Sequence, residues 1–192
     1  MYQAGVAGPL VPAGRYTIRL SAAGSTLTQN FLIARDPRLT SVTDADLNEQ
    51  FRFAREVQNK FSQSNDTVTR IRRIKSDIAD RIKSANTEAV TSAGQKLAAE
   101  LTEIEGHLYQ YRNRATKDPL NFPPQLNNKL GSLLAIVESA DSRPTDSSYV
   151  VYKQLADGVD RQLSGLADLL GRDLTAFNKV LAAAQLSPIS GM

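Results

Sequence analysis

Two segments within residues 1–38 alternate apolar and polar residues and follow a stretch rich in glycine and proline, which together predict a β-hairpin. Tyr16, Ile18 and Leu20 alternate with polar residues, as in a strand with one buried face. A turn is predicted at residues 22–24, where Gly24 can adopt a positive φ. A second strand is predicted for residues 25–33. Its residues on the same apolar face are Leu27, Phe31 and Ile33. Because an isolated hairpin is marginal in water, we expect it to pack against helices or to belong to a larger sheet.

Residues 39–192 change to helical periodicity. Residues 41–46 offer N-cap candidates and acidic residues for the first turn of a first helix, and we expect the stretch that follows to form one long helix to about residue 84. A polar run at residues 62–66 lowers the helix propensity at its centre, where the helix could bend. The apolar stripe of this helix consists of Leu47, Phe51, Ala54, Phe61, Val68, Ile71, Ile78 and Ile82.

Three further helices are predicted. The second runs from about 88 to 114, the third follows a proline-containing loop at 117–124, and the fourth begins after a cap at Thr145 or Asp146 and reaches about 186. The heptad seam of the second helix consists of Leu97, Leu101, Ile104, Leu108 and Tyr111. The predicted fold is mainly α: an elongated antiparallel three- or four-helix bundle, residues 39–192, preceded by a short β-hairpin.

Composition narrows the possible chemistry. The 192 residues are 41% hydrophobic and 22% charged, which is typical of a globular protein that can bury a core. The chain has no cysteine and one histidine, His107, so disulfides, thiolate metal sites and a histidine pair from one chain are excluded. The formal net charge of +3 is lower than a dedicated nucleic-acid binder requires. No cofactor is predicted.

The sequence leaves the location of the protein open. No apolar run approaches the roughly 20 residues that span a bilayer. The first residues lack the basic and apolar regions of a signal peptide. We therefore expect either a cytoplasmic protein or a part of a longer chain that carries its signal elsewhere.

GPLVPAGRYTIRL at residues 8–20 and DPR at 36–38 resemble the close of a fibronectin- or Ig-like sandwich. This ending is similar to the one near the C-terminus of large bacterial proteins of the sortilin-like or BNR-repeat glycosyl hydrolase type. The stretches that are similar to the helical tail of those proteins are LYQYRNR at 108–114, DPLNFP at 118–123, LNNKL at 126–130, ESAD at 138–141 and PT at 144–145.

The resemblance implies a limited role for this chain. The family's activity would lie in an N-terminal β-propeller, whose Asp-box blades each need a tryptophan, and this chain has none. The hairpin would be the last two strands of a truncated sandwich, with Met1 an artificial or misassigned start. Such parent proteins look secreted, which implies an extracytoplasmic location.

Several acidic residues and His107 are candidates for catalysis. For each of them a non-catalytic surface role is favoured. Glu100 with Glu103, and Asp157 with Asp160, could act as paired carboxylates. Acidic residues on an amphipathic helix usually form its solvated face. A base at His107 would need a nucleophile and an orienting partner, and no nucleophile-elbow motif is present.

A basic run on the first helix and a loop are candidate interaction surfaces. The basic run consists of Arg70, Arg72, Arg73, Lys75, Arg81 and Lys83. A solvated face with Arg70 and Arg73 paired to Asp77 is favoured, and an anionic partner is the alternative. The loop residues are Asn121, Phe122, Asn127 and Asn128. Here we favour asparagines that cap the third helix and hold the loop, and the alternative is a docking surface.

The resemblance implies a C-terminal accessory or interaction module of a larger sortilin-like propeller protein, and the lack of a catalytic constellation leads us to expect a non-catalytic one. Its partners would be protein: the parent's propeller or sandwich domains, or a second copy. One alternative is an autonomous helical adaptor or oligomerisation protein, because exposed heptad seams can pair between chains. Another is an anion- or nucleic-acid-binding helical protein. A truncated module should leave the hairpin's apolar face exposed, whereas an independent protein should cover it.

Overall fold

A mainly α-helical bundle follows a two-stranded antiparallel β-hairpin, as the sequence predicts. The computed structural model describes residues 8–85, 87–115 and 117–191. The strands are β1 (Gly14–Ala22) and β2 (Ser25–Ile33). The helices are α1 (Asp44–Ser84), α2 (Glu88–Leu108), α3 (Leu126–Val137), α4 (Asp146–Leu169) and α5 (Thr175–Ala183).

Helix α1 forms the longest rod of the bundle, and its start is fixed by a capping box. The Thr43 hydroxyl accepts from the Asp46 backbone N–H at 3.1 Å, and the Asp46 carboxylate accepts from the Thr43 N–H at 2.9 Å. The Thr43 hydroxyl also donates to the Asp46 carboxylate at 2.6 Å, and this hydrogen bond is the largest cause of the lowered pKa of Asp46, followed by the one from the Thr43 backbone N–H. The 41 residues correspond to about 60 Å at 1.5 Å per residue. The helix continues without interruption through the polar run 62–66, where Ser64 is fully buried.

Helices α2 and α3 return along α1 in tandem and together form the second rod. Glu105 near the end of α2 contacts Arg72, whereas Gly94 lies against Ile82, so α2 is antiparallel to α1. Asn127 at the start of α3 contacts Asn65. Two short helices therefore cover one long helix, as the predicted lengths require.

Helices α4 and α5 form the third rod, which runs parallel to α1. Tyr149 contacts Glu49, and eleven residues later Asp160 contacts Lys60. A π-helical turn, Leu170–Leu174, joins α4 directly to α5. The Thr145 hydroxyl caps α4 by accepting from the Ser148 N–H, so the predicted cap at Thr145 is confirmed.

Helix α2 ends at Leu108, earlier than the predicted residue 114. Tyr109 adopts an extended conformation, and Gln110 is buried with its side chain donating to the Pro123 carbonyl at 3.1 Å. This hydrogen bond ties the following loop back to the helix end. Tyr111, predicted in the heptad seam, therefore lies outside the helix and is exposed. The spacing of Tyr111 fits the heptad, but spacing alone does not show where the helix ends.

The last helix ends at Ala183, shortly before the predicted residue 186. Gln185 has a φ of 59°, and the Leu186 N–H donates to the Leu181 carbonyl at 2.9 Å. This is the hydrogen-bond pattern of a Schellman cap, which usually places glycine at the residue with positive φ. The chain then continues as a short extended tail, in which Ile189 is buried.

Candidate functional site

The hairpin is closed by a two-residue turn of type I′. Ala23 and Gly24 both have positive φ, at 48° and 77°. This turn type matches the right-handed twist of the flanking strands, and it requires positive φ at both central residues. The predicted turn at residues 22–24 is confirmed, and Ala23 adopts a conformation that a residue with a Cβ rarely takes.

The strands pair one to one, so each side of the hairpin has a distinct chemical character. Tyr16 pairs with Phe31, and Leu20 pairs with Leu27. Directly paired residues point to the same side of a sheet. One side, which we call the apolar face, therefore carries Tyr16, Ile18, Leu20, Leu27, Phe31 and Ile33, together with the polar Gln29 opposite Ile18.

The opposite side of the hairpin is mainly polar and internally hydrogen-bonded, with Leu32, the partner of Arg15, as its one large apolar residue. The Thr17 hydroxyl donates to Asn30 Oδ1 at 2.8 Å, and the Ser21 and Thr26 hydroxyls lie 3.0 Å apart. Cross-strand polar pairs of this kind are typical of the solvated face of a sheet. The polar side is thus suited to water, and the apolar face is the side that needs a cover.

The apolar face is exposed over most of its length. The relative exposures are 57% for Ile18, 61% for Leu20, 71% for Leu27 and 39% for Phe31. Only the base is partly covered, where Tyr16 is half-buried and its hydroxyl donates to the Pro12 carbonyl. An isolated hairpin is expected either to pack on the helices or to belong to a larger sheet. These exposed side chains do not pack on the helices.

Polar contacts attach the hairpin to the bundle at both of its ends. Before β1, the Leu10 N–H donates to Glu138 Oε1 at the end of α3, at 2.7 Å. After β2, the Arg35 guanidinium donates to the Val42 carbonyl and lies 3.6 Å from the Asp44 carboxylate in the first turn of α1. The hairpin is therefore placed beside the N-terminal end of α1.

The basic run on α1 contacts the rest of the bundle. Arg72 and Lys75 both bind the buried carboxylate of Glu105 on α2, at 2.7 and 3.0 Å. Arg70 donates to the Gly191 carbonyl and Arg81 to the Ser187 carbonyl, so both hold the C-terminal tail.

The predicted pairing of the basic run within α1 is largely replaced by these contacts. Arg70, expected to pair with Asp77, reaches the tail instead. Lys83 keeps a contact within the helix, at 3.7 Å from Asp80. Arg73 is exposed. The two candidate residues Arg70 and Arg73 thus have different environments, although they lie one turn apart.

The candidate asparagines of the loop also differ in their burial. Asn127 is buried in the first turn of α3 and donates to Asn65 Oδ1 of α1 at 3.1 Å. Asn121 is exposed, and Asn128 is half-buried. Among the described residues, no side-chain cap hydrogen bond is found at the start of α3, which differs from the predicted capping by asparagine.

Phe122 lies in a compact part of the same loop. It is half-buried, and the Arg112 guanidinium lies over its ring at 5.8 Å from the centroid. Asp118 orders the preceding turn by accepting from the Arg114 and Ala115 backbone N–H groups, at 2.5 and 2.7 Å. These backbone hydrogen bonds lower the pKa of Asp118.

A carboxylate and a phenol join α1 to α4 near the hairpin. The Tyr149 hydroxyl donates to Glu49 Oε1 at 2.8 Å, and Arg143 lies 3.1 Å from Glu49 Oε2. Burial and the Glu49 hydrogen bond raise the pKa of Tyr149 to about 12. This hydrogen bond is therefore complete at neutral pH and is lost only as the pH rises toward that value. Its geometry is that of a helix–helix contact.

The residues weighed for catalysis lie on the surface. His107 is exposed in the last turn of α2. Asp157 binds Lys153 on its own helix, and Asp160 binds Lys60 on α1. Within residues 8–85, 87–115 and 117–191, no cluster of three or more acidic or histidine side chains is arranged to hold a metal ion. In the same residues no helix is both long and apolar enough to span a membrane.

Sequence reasoning missed two features of this surface. It did not anticipate that α1 arginines would hold the C-terminal tail, because those contacts join residues that are far apart in the chain. The second feature is the difference in charge between the two strands of the hairpin, which the sequence alone shows: β1 carries Arg15 and Arg19, and β2 carries no charge.

Comparison with protein-family models, with curated proteins and with solved structures finds no match to this chain.

Proposed function

We propose that this chain is a non-catalytic accessory and docking module of a larger protein of the sortilin-like propeller type. In this proposal, the apolar face of the hairpin is buried against the second sheet of an Ig- or fibronectin-like sandwich. The observation that supports it most is the exposure of Ile18, Leu20 and Leu27, three large apolar side chains on one face. The resemblance of residues 8–20 and 36–38 to the close of such a sandwich points to the same partner.

The two sides of the hairpin differ in polarity, as the two sides of a sandwich sheet do. In a β-sandwich the inner faces of two sheets interdigitate about 10 Å apart, and the outer faces are polar. The hairpin has one apolar face and one polar side with cross-strand hydrogen bonds, which matches a sandwich strand pair. A hairpin alone is marginal in water, so a covering sheet would stabilise it and remove its apolar surface from solvent.

The helical bundle would serve as a self-contained support for this contact. Its core is continuous along all three rods, with Val57, Ile71, Leu101 and Leu181 fully buried. The hairpin contributes none of the buried core residues. A partner could therefore bind or release the hairpin without disturbing the bundle.

The alternative functions receive less support from the geometry. Leu97, Leu101 and Leu108 of the heptad seam are buried inside the bundle, so this seam is not available to a second chain. An anion-binding role would have to use cations other than Arg72 and Lys75, which bind Glu105. Binding of duplex DNA that weakens steeply with salt would favour the anion-binding function instead.

Site-specific cross-linking tests the proposed function. A photo-reactive amino acid replaces Leu20 on the apolar face, in the protein as its natural host produces it, and the matched control replaces Arg19 on the polar side. We expect Leu20 to cross-link to strands of a β-sandwich domain, identified by mass spectrometry of the joined peptides, and Arg19 not to do so. Cross-links from Leu20 only to the chain's own helices would refute the proposal.

A further inference from the structure

The hairpin has two free backbone edges, and their hydrogen-bonding groups can be assigned from the register. A two-residue turn makes Ala22 and Ser25 a hydrogen-bonded pair, and such pairs alternate with non-hydrogen-bonded pairs along an antiparallel ladder. The pair Arg19–Thr28 is therefore non-hydrogen-bonded, with its N–H and C=O groups pointing outward. On β2 the outward groups belong to Thr26, Thr28, Asn30 and Leu32. Among the described residues, no third strand pairs with either edge.

The two edges differ in how well they are protected against pairing. β1 carries Arg15 and Arg19, and charged side chains on an edge strand discourage association with another strand. β2 reads STLTQNFLI, with no charge and no proline over nine residues. Its one-to-one register leaves no bulge. A long, regular and uncharged edge is a template for strand addition.

We propose that the outer edge of β2 pairs antiparallel with β2 of a second copy of this chain. The charge pattern favours β2 over β1 for a contact between two copies, because two β2 strands bring no charged side chains together. The same pairing through β1 would bring Arg15 and Arg19 of two copies close together. A two-fold axis normal to the sheet makes the contact isologous, so each β2 strand offers the same groups to the other.

The pairing also produces a more stable β-structure. Two hairpins joined through β2 form a four-stranded sheet with the order β1, β2, β2, β1, and three or more strands are needed for independent stability. The two-fold axis keeps both apolar faces on the same side of this sheet. The joined sheet therefore presents one continuous apolar face, and its polar side remains in water. This inference concerns the edge of the hairpin, and it does not depend on what covers the apolar face.

Matched proline variants of the whole chain test the pairing. Thr28→Pro removes an outward N–H from the edge of β2, and Arg19→Pro removes the cross-strand equivalent from the edge of β1. Neither N–H is used within the hairpin, and proline is tolerated at such edge positions. We expect sedimentation velocity to show concentration-dependent dimers for the unmodified chain and for Arg19→Pro, and loss of the dimer for Thr28→Pro.

Two further variants keep the result interpretable. If cross-strand nuclear Overhauser effects between Tyr16 and Phe31 show that a proline variant has lost its hairpin, Thr28→Lys replaces it, and its weaker dimer should recover partly at high salt. Leu20→Thr changes only the apolar face and should still dimerise. The proposal is overturned by a monomeric unmodified chain at every concentration. It is also overturned if Leu20→Thr abolishes the dimer while Thr28→Pro preserves it, since that result indicates pairing through the faces.

Discussion

The two ends of the bundle close in different ways. Beside α5, the chain folds its own tail over the core: Ile189 is buried, and Asn178 makes two hydrogen bonds with its backbone. Beside the N-terminal end of α1, apolar side chains remain exposed, among them Leu10, Ile136 and Val150. The hairpin projects from this second end with its apolar face uncovered.

This difference separates what the chain needs for folding from what it offers to a partner. The end closed by the tail buries its apolar groups within the chain, and two α1 arginines reinforce it. The hairpin end leaves apolar groups in water, which costs free energy unless another surface covers them. Substitutions should therefore affect stability at the closed end and association at the hairpin end.

The largest expected effect compares one substitution in the two regions. Leu101 of α2 is fully buried in the core, and Leu20 is exposed on the hairpin. Leu101→Ala should lower the free energy of unfolding by about 2–5 kcal/mol, because it removes buried methyl groups and leaves a cavity. Leu20→Ala should change it by less than about 0.5 kcal/mol. Urea denaturation followed by circular dichroism measures both, and equal losses would show that the hairpin belongs to the cooperative core.

The next effect concerns the buried carboxylate of Glu105. Glu105→Ala leaves Arg72 and Lys75 without the acceptor that joins α1 to α2. We expect a loss of about 1–3 kcal/mol, typical of hydrogen bonds to charged groups. The control is Glu103→Ala on the exposed side of the same helix, which should be nearly neutral. If Glu105→Ala leaves the free energy of unfolding unchanged in the same denaturation experiment, apolar packing alone stabilises the contact between α1 and α2.

A smaller effect should appear at the tail. Asn178 donates to the Ile189 carbonyl at 2.9 Å and accepts from its N–H at 2.8 Å. Asn178→Ala should cost about 1–2 kcal/mol and speed hydrogen exchange at the Ile189 amide. Lys179→Ala, at the exposed neighbouring position, is the control. Unchanged exchange at Ile189 would indicate that burial of its side chain holds the tail without these hydrogen bonds.

Local sequence signals predicted much of the fold, and long-range contacts were beyond them. The start of α1 follows the N-cap candidates predicted at residues 41–46, and its end at Ser84 agrees with the end predicted from the sequence. The early end of α2 was missed because it depends on Gln110 reaching Pro123 across a loop. The partner of Asn127 was missed for a similar reason, since Asn65 is 62 residues away.

For the candidate surface, the alternation of residues predicted the composition of the apolar face but could not predict its exposure. Period-2 patterning shows that Leu20 and Leu27 share a side, because strand geometry places alternate residues together. Whether that side is covered depends on which elements approach it, and no local pattern encodes this. The exposure of Leu27 is thus a finding of the structure.

The smallest expected effects come from two residues with positive φ, one in each region. Ala23 in the hairpin turn has a φ of 48°, and Gln185 after α5 has a φ of 59°. Left-handed backbone is costly for residues with a Cβ, whereas asparagine and glycine tolerate it. Gln185→Gly should raise the stability of the whole bundle by about 0.5–1 kcal/mol, because the Schellman cap belongs to the cooperative core.

Ala23→Asn should relieve a similar strain and create the Asn-Gly pair that type I′ turns prefer. Its effect should be confined to the hairpin, where it slows hydrogen exchange at the cross-strand amide of Leu20 and leaves the melting temperature of the helices unchanged. A rise in that melting temperature equal to the one from Gln185→Gly would show that the hairpin and the bundle unfold together. If only Gln185→Gly raises it, the hairpin folds and unfolds independently of the bundle, so a partner can stabilise the hairpin while the bundle remains folded.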